Sequence, residues 1–157
     1  MFKWWMLLHI LGVAGFLTTH GVSVMVIFRI RGLGADRAAI TSAIAGSRQT
    51  VTSMYVSLVP LIAGGIGVGL VASDFSHWWL WLAIGILLVT FALMSTIAKD
   101  HFEKVKAACD LRPSGVPRKS DEELIEMVRS SASMAVIVIG LAGLGAILYL
   151  MVVKPGV

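Results

Sequence analysis

Four long apolar segments that contain no Asp, Glu, Lys or Arg constrain this chain more than any other feature of its sequence. They are Trp4–Phe28, Val51–Ala72, Trp78–Ala98 and Ala132–Val153. At 1.5 Å per residue, a helix of about 20 residues crosses a hydrocarbon core of about 30 Å. Barrel strands would be shorter and would alternate polar with apolar residues, and backbone inside a bilayer must satisfy its own hydrogen bonds. We therefore expect an all-α, integral membrane four-helix bundle.

The composition excludes the other broad classes of protein. Only 14% of the 157 residues are charged, and there is one cysteine, Cys109. A soluble domain carries about 25% charged residues, so this chain could not cover a soluble surface, and one cysteine makes no disulfide scaffold. The length allows a single transmembrane domain, 1–157. The first apolar run is longer than a signal peptide core and ends in Arg29 and Arg31, so we expect it to be retained as a helix.

The distribution of basic residues predicts an orientation. Eleven of the 13 Lys and Arg residues lie in or beside two connections, 29–50 and 99–131, and only Lys3 and Lys154 lie elsewhere. Cytoplasmic loops of membrane proteins carry an excess of Lys and Arg. We therefore expect an up-down-up-down bundle in the plasma (cytoplasmic) membrane, with both termini outside and the two basic connections in the cytoplasm. No separate basic domain is present, so the lipid bilayer is the expected partner and nucleic acid is not.

The polar connections also contain helix signals. The third helix, 78–98, continues as a charged extension to about residue 111, and a Pro- and Gly-containing loop follows. Ser120 and Glu123 form a capping box, which predicts a fourth helix over 121–153. Asp36 can cap a short amphipathic helix, Arg37–Ala45, within the first connection. Residues 73–77 are expected to form a tight turn between the second and third helices.

Histidines are the residues in this sequence most suited to chemistry. His9 and His20 lie inside the first apolar segment, eleven residues apart, which places both on one helix face about 16 Å apart along the axis. Gly12 and Phe16 share that face. Neutral imidazole is a natural axial ligand for haem iron, and an apolar bundle suits a porphyrin. This stripe therefore favours a b-type haem held by His9, with Gly12 and Phe16 against the ring.

The depth of each histidine limits which pairs could share one metal ion. His9 and His77 both lie in the outer half of the membrane, with a mismatch of about 6 Å that tilt could absorb. His20 and His101 differ by about 14 Å, which tilt does not easily absorb. The expected intrachain pair is therefore His9 with His77, or else His20 pairs with its own copy across a dimer axis.

Each histidine also has a purely structural interpretation. His20 can hydrogen-bond a nearby hydroxyl such as Thr19 or Ser23, or a carbonyl on another helix. His77 can be one more member of an interfacial belt that includes Trp78. His101 follows the charged residue Asp100, so a solvated surface position is expected for it.

Other patterns yield fewer functional signals. The spans hold no carboxylate, and CxxC, HExxH, GxSxG and phosphate-loop motifs are missing from the sequence. Glycines recur on three of the four segments. In lipid, small residues allow close approach between helices of one bundle or between subunits of a dimer, and they can also make room for a flat cofactor.

The first helix resembles that of two related families. Residues Trp5-Met-Leu-Leu-His9-Ile-Leu-Gly12, closed by Phe28-Arg29-Ile-Arg31, look like the first helix of the copper-resistance D and HemJ-type protoporphyrinogen oxidase group. The resemblance implies a four-helix scaffold with His9 as haem ligand. It covers about the first 31 residues, and the lysine that the HemJ pattern carries in a later membrane helix has no counterpart in these spans.

These observations together predict a small cytochrome-like membrane protein that binds haem b. It would transfer electrons, or sense redox state or a gas, with a quinone or a redox protein as partner. Two alternatives remain open: a non-enzymatic accessory subunit, as a homodimer or within a larger membrane complex, and a HemJ-like porphyrinogen oxidase. The sequence leaves open whether the protein is an enzyme.

Overall fold

The computed structural model describes residues 1–72 and 74–156, and it is all-helical over that part of the chain. Its five helices are α1 Phe2–Gly32, α2 Arg37–Ala72, α3 Trp78–Cys109, α4 Asp121–Val128 and α5 Ser131–Val153, with a 3₁₀ turn at Asp74–Ser76. Four stretches are long and apolar enough to cross a membrane: α1, α2, α3, and α4 with α5. Ser73, the first residue of the predicted tight turn, and Val157 lie outside the described residues.

The connection between the first two helices is much shorter than the sequence indicates. The amphipathic helix that we expected at Arg37–Ala45 is not separate, because α2 runs without interruption from Arg37 to Ala72. Asp36 does cap this helix, since its carboxylate accepts a hydrogen bond from the Ala39 amide at 3.0 Å. No proline lies between residues 45 and 51, and helix propagation is favourable once a turn has formed. The cap therefore starts the long helix itself.

The fourth predicted helix divides into two parts. The capping box is confirmed: Ser120 accepts from the Glu123 amide, and Glu123 accepts from the Ser120 amide. The helix over 121–153 is interrupted at Arg129 and Ser130, where α4 ends and α5 begins. Ser130 is extended, a conformation typical of a residue that precedes a helix.

The polar ends of the helices form a head with its own hydrophobic core. We use the name head for residues 37–50 of α2, 99–109 of α3, the 110–120 loop and α4. Its buried residues pack together with Ile30 of α1: Ile40, Ile44, Val105, Ala108, Cys109, Leu124 and Val128. The head therefore folds as a packed unit that continues the bundle beyond its apolar segments.

The spans pack as two main pairs that also contact each other. α1 makes its most extensive contacts with α2, and α3 makes its most extensive contacts with α5. The two pairs meet where Ile27 of α1 packs with Val136 and Ile137 of α5, together with Met94 of α3. They also meet where α2 contacts α3. Many large apolar side chains on the outside of the spans are exposed, as expected for surfaces that face lipid.

The end of the bundle opposite the head is held by a short polar network. The Lys154 ammonium group lies 3.1 Å from the Asp74 carboxylate and 5.1 Å from the centre of the Trp79 ring. Asp74 and Trp79 are buried. This network ties the C-terminal end of α5 to the turn that precedes α3.

Candidate functional site

His9 is anchored on α2 through one of its ring nitrogens. Nδ1 of His9 lies 2.8 Å from the carbonyl oxygen of Leu61. A carbonyl oxygen can only accept a hydrogen bond, so Nδ1 must donate, and in the neutral ring Nε2 then keeps its lone pair. A backbone carbonyl that holds one ring nitrogen and orients the other is the usual arrangement around metal-binding histidines. In the neutral ring the bond to Leu61 therefore leaves Nε2 of His9 with a free lone pair.

Glycines bring α1 and α2 into direct contact around His9. A Cβ atom on Gly64 would collide with the His9 backbone, and one on Gly12 would collide with the Leu61 backbone. Further along, the Trp5 ring fills the space over Gly67. These glycines serve close helix packing, the first interpretation drawn from the sequence. The space over Gly12, which we expected to face a porphyrin ring, holds Leu61.

His20 lies in a different environment on the same helix. Only 4% of its surface is exposed, and its Nε2 is buried without a hydrogen-bond partner among the described residues. Phe16 stacks on it with ring planes 3° apart and centroids 6.3 Å apart. A Cβ on Gly140 of α5 would come within 2.9 Å of that Nε2. His20 is therefore sealed where α1 meets α5, and Phe16 packs against it.

The hydroxyl groups that we expected to hydrogen-bond with His20 have other partners. Thr19 donates to the backbone carbonyls of Gly15 and Phe16, and Ser23 donates to the Thr19 carbonyl. These are ordinary bonds of hydroxyl side chains to the preceding helical turn. They leave the buried imidazole nitrogen without the partner that sequence proximity indicated.

His77 and His9 have different surroundings. His77 precedes α3 as its N-cap residue, in an extended conformation and without a side-chain capping bond. Its Nδ1 lies 3.3 Å from the Ser76 hydroxyl. His9 instead makes its hydrogen bond to Leu61 of α2. Within residues 1–72 and 74–156, no three His, Cys, Asp or Glu side chains cluster closely enough to hold a metal ion.

His101 is buried, so the expected solvated position is wrong. It is 8% exposed, and its Nδ1 lies 3.3 Å from the Ser130 hydroxyl. Arg31 donates to the Ser130 carbonyl at 2.9 Å and to the Ser133 hydroxyl at 2.7 Å. Spacing along α3 could not reveal this burial, because α1 and the start of α5 supply the covering groups.

The sequence did not indicate which carbonyl orients His9, and the reason is simple. Every residue has a backbone carbonyl, so nothing in the sequence distinguishes the carbonyl of Leu61 from its neighbours. The nearest signal is the adjacent run of glycines on α2, which permits the close approach.

Comparison of the chain with protein-family models, with curated proteins and with solved structures finds no match.

Proposed function

We propose that this protein is a small membrane cytochrome-like protein that binds b-type haem through Nε2 of His9. The observation that supports the proposal is the 2.8 Å contact between His9 Nδ1 and the Leu61 carbonyl, which leaves Nε2 deprotonated in the neutral ring. His9 is half-buried, whereas His20 is 4% exposed and its Nε2 is buried. A bound haem supplies one-electron redox chemistry or gas ligation.

The packing around His9 limits how the chain accommodates the ring. Backbone atoms of Leu61 occupy the space over Gly12, so a porphyrin does not enter the seam between α1 and α2. The chain contributes a positioned imidazole and an apolar surface that excludes water. His77, or a histidine of another copy, would hold the haem together with His9, and the bound haem would exchange electrons with a quinone or a redox protein.

The proposal includes an orientation in the plasma membrane. The head contains most of the basic residues, and the positive-inside rule places it in the cytoplasm with both termini outside. Cysteines at Ser76 and Ser114, both exposed, test this in a Cys109→Ser background. A membrane-impermeant thiol reagent added from outside should label the cysteine at 76 alone. Labelling at 114 alone would reverse the orientation.

Side chains and backbone already occupy the space over the glycines between α1 and α2. This packing favours a second candidate, a non-enzymatic accessory subunit of a larger membrane complex. In this account His9 only joins α1 to α2, and the exposed apolar faces pack against partner helices. The purified protein would then be colourless. HemJ-like oxidase activity rests on the resemblance of the first helix alone, and turnover of a reduced porphyrin by the purified protein would test it.

The experiment that tests the first proposal compares histidine variants by reduced-minus-oxidised spectroscopy. His9→Ala should abolish the haem bands while the protein still inserts, because Ala is apolar and a good helix former. His101→Ala is the control, since His101 packs in the head and should not affect the spectrum. His20→Ala separates one haem from two: an unchanged spectrum indicates one, and loss of half the signal indicates a second haem at His20. Equal spectra for wild type and His9→Ala would contradict His9 as ligand.

A further inference from the structure

Arg37, at the first turn of α2, has a buried hydrogen-bond donor with no acceptor. Its side chain is 17% exposed, and Nη2 donates to the Lys119 carbonyl at 2.9 Å and to Asp121 Oδ1 at 2.6 Å. Nη1 is buried and has no partner in the part of the chain that the structure describes. An unsatisfied buried donor, above all a charged one, is costly and calls for an acceptor.

Arg37 lines two cavities in the head. One, of about 520 Å³, lies between the start of α2 and the end of α3 and is largely apolar. The other, of about 320 Å³, lies between Arg37, the 110–120 loop and the first turn of α4. The second cavity contains most of the nearby charge, so it is the better place for an acceptor.

The charges around the second cavity do not balance. Its basic residues are Arg37, Arg112, Arg118 and Lys119, and its acidic residues are Asp121 and Glu123. Both carboxylates are already paired, Asp121 with Arg37 and Glu123 with Lys119 at 3.0 Å. Arg112 and Arg118 have no carboxylate partner among the described residues. Arg112 donates to the Arg118 carbonyl at 3.4 Å. Two guanidinium groups without a carboxylate partner therefore line the same cavity as Arg37.

We infer that this cavity binds the phosphate group of a soluble anion through the guanidinium groups of Arg37, Arg112 and Arg118. Guanidinium groups bind phosphate through paired, charge-assisted hydrogen bonds. Arg37 precedes Val51, where the apolar segment of α2 begins, by 14 residues. At 1.5 Å per residue, about 21 Å of helix separates the cavity from that segment. This distance favours a soluble ligand over the headgroup of a bilayer lipid.

Calorimetric titration of the full-length protein in neutral detergent with inorganic pyrophosphate tests the inference. We expect saturable one-to-one binding that weakens as salt is added, because salt screens the charges. Arg112→Gln and Arg118→Gln should each weaken binding about tenfold by removing a charged hydrogen bond. Both side chains are exposed in a loop, so the variants should melt like the wild type. Asp121→Asn should tighten binding, because it removes a carboxylate that competes for Arg37.

Lys104→Gln is the matched control. Lys104 is an exposed cation of the head, paired with Asp100 and outside the cavity. Its replacement should leave binding unchanged, and equal weakening there would show non-specific charge attraction and overturn the inference. Absence of saturable heat, or wild-type affinity in both arginine variants, would also overturn it. Displacement of pyrophosphate by phosphatidylglycerol nanodiscs, but not by phosphatidylcholine nanodiscs, would assign the phosphate to a lipid and contradict a soluble ligand.

Discussion

Nδ1 of His9 donates a hydrogen bond to the carbonyl oxygen of Leu61 across the seam between the first two helices. This bond sets the tautomer of the ring and holds its plane against α2. The proposed haem ligand is therefore part of the most extensive helix contact in the described part of the chain. Changes in that seam should affect both stability and haem binding.

Gly65→Ala tests the positioning of the imidazole. A Cβ at Gly65 would lie 3.1 Å from Nδ1 and 3.2 Å from Cε1 of His9, so the ring must tilt by a few tenths of an ångström. We expect the variant to fold but to bind haem several-fold more weakly or with a shifted reduction potential, because axial geometry tunes the iron. Potentiometric titration measures both effects. A spectrum and a potential identical to wild type would contradict a positioning role.

Gly12→Ala tests the seam itself. The added methyl group would meet the Leu61 backbone, which cannot move independently of α2. Overpacking of this kind costs about 1–3 kcal/mol, so the melting temperature in detergent should fall. Gly85→Ala is the matched control, because a Cβ at Gly85 meets no atom within 4 Å. That variant should be neutral or slightly stabilised, since Ala favours helix by up to about 1 kcal/mol. Equal melting temperatures for the two variants would contradict the close contact between Gly12 and the Leu61 backbone.

The polar network opposite the head provides a prediction about ion-pair coupling. Asp74 is nearly buried, with 10% of its side chain exposed, whereas Lys154 is 39% exposed. Lys154→Met should leave an unpaired carboxylate in an apolar site and destabilise the protein more than the double variant with Asp74→Asn. Unfolding of the four proteins of this double-mutant cycle measures the coupling, expected to be about 1 kcal/mol after allowance for the exposure of Lys154. If the effects of the two substitutions on the free energy of unfolding are strictly additive, the ion pair contributes no coupling energy to stability.

His101 should make the stability of the protein depend on pH. It lies in the charged extension of α3, outside the apolar segment. Burial lowers the pKa of His101 below its ordinary value of 6.5, and the positive charges of Arg31 and Lys104 lower it further. The unfolded chain therefore binds the proton more tightly than the folded chain, and the contribution of His101 to stability is lost as the pH falls from 6.5 through the folded pKa.

Melting curves of wild type and His101→Gln, measured between about pH 8 and about pH 5, isolate this contribution. The wild type should lose more stability on acidification than the variant, because only the wild type must protonate a buried imidazole there. The other three histidines are present in both proteins, so the comparison isolates His101. Equal losses would show that His101 does not report on the packing of the head.

Local signals in the sequence predicted the parts of the fold that local chemistry controls. The four apolar segments, the Ser120–Glu123 capping box and the Asp36 cap depend on residues close together in the chain, and the structure contains all of them. The continuity of α2 was missed because weak breakers such as Gly46 do not stop a helix that packs along its length.

The head and the environment of each histidine depend on contacts between distant segments. The core of the head joins Ile40 of α2 to Val105 of α3 and Leu124 of α4, and no single periodicity contains that combination. Proximity in the sequence indicated hydroxyl partners for His20, and the charged neighbour Asp100 indicated a solvated position for His101. Gly140 and Ser130, both from the far end of the chain, determine their actual surroundings.

The absorption spectrum of the wild-type protein, expressed with ample haem and purified in mild detergent, tests the central claim most directly. If Nε2 of His9 ligates haem iron, the protein is coloured, with a Soret band that shifts on reduction and haem bound in a fixed ratio to protein. A folded preparation without Soret absorption would contradict the claim, and the bond between His9 and Leu61 would then serve helix packing alone.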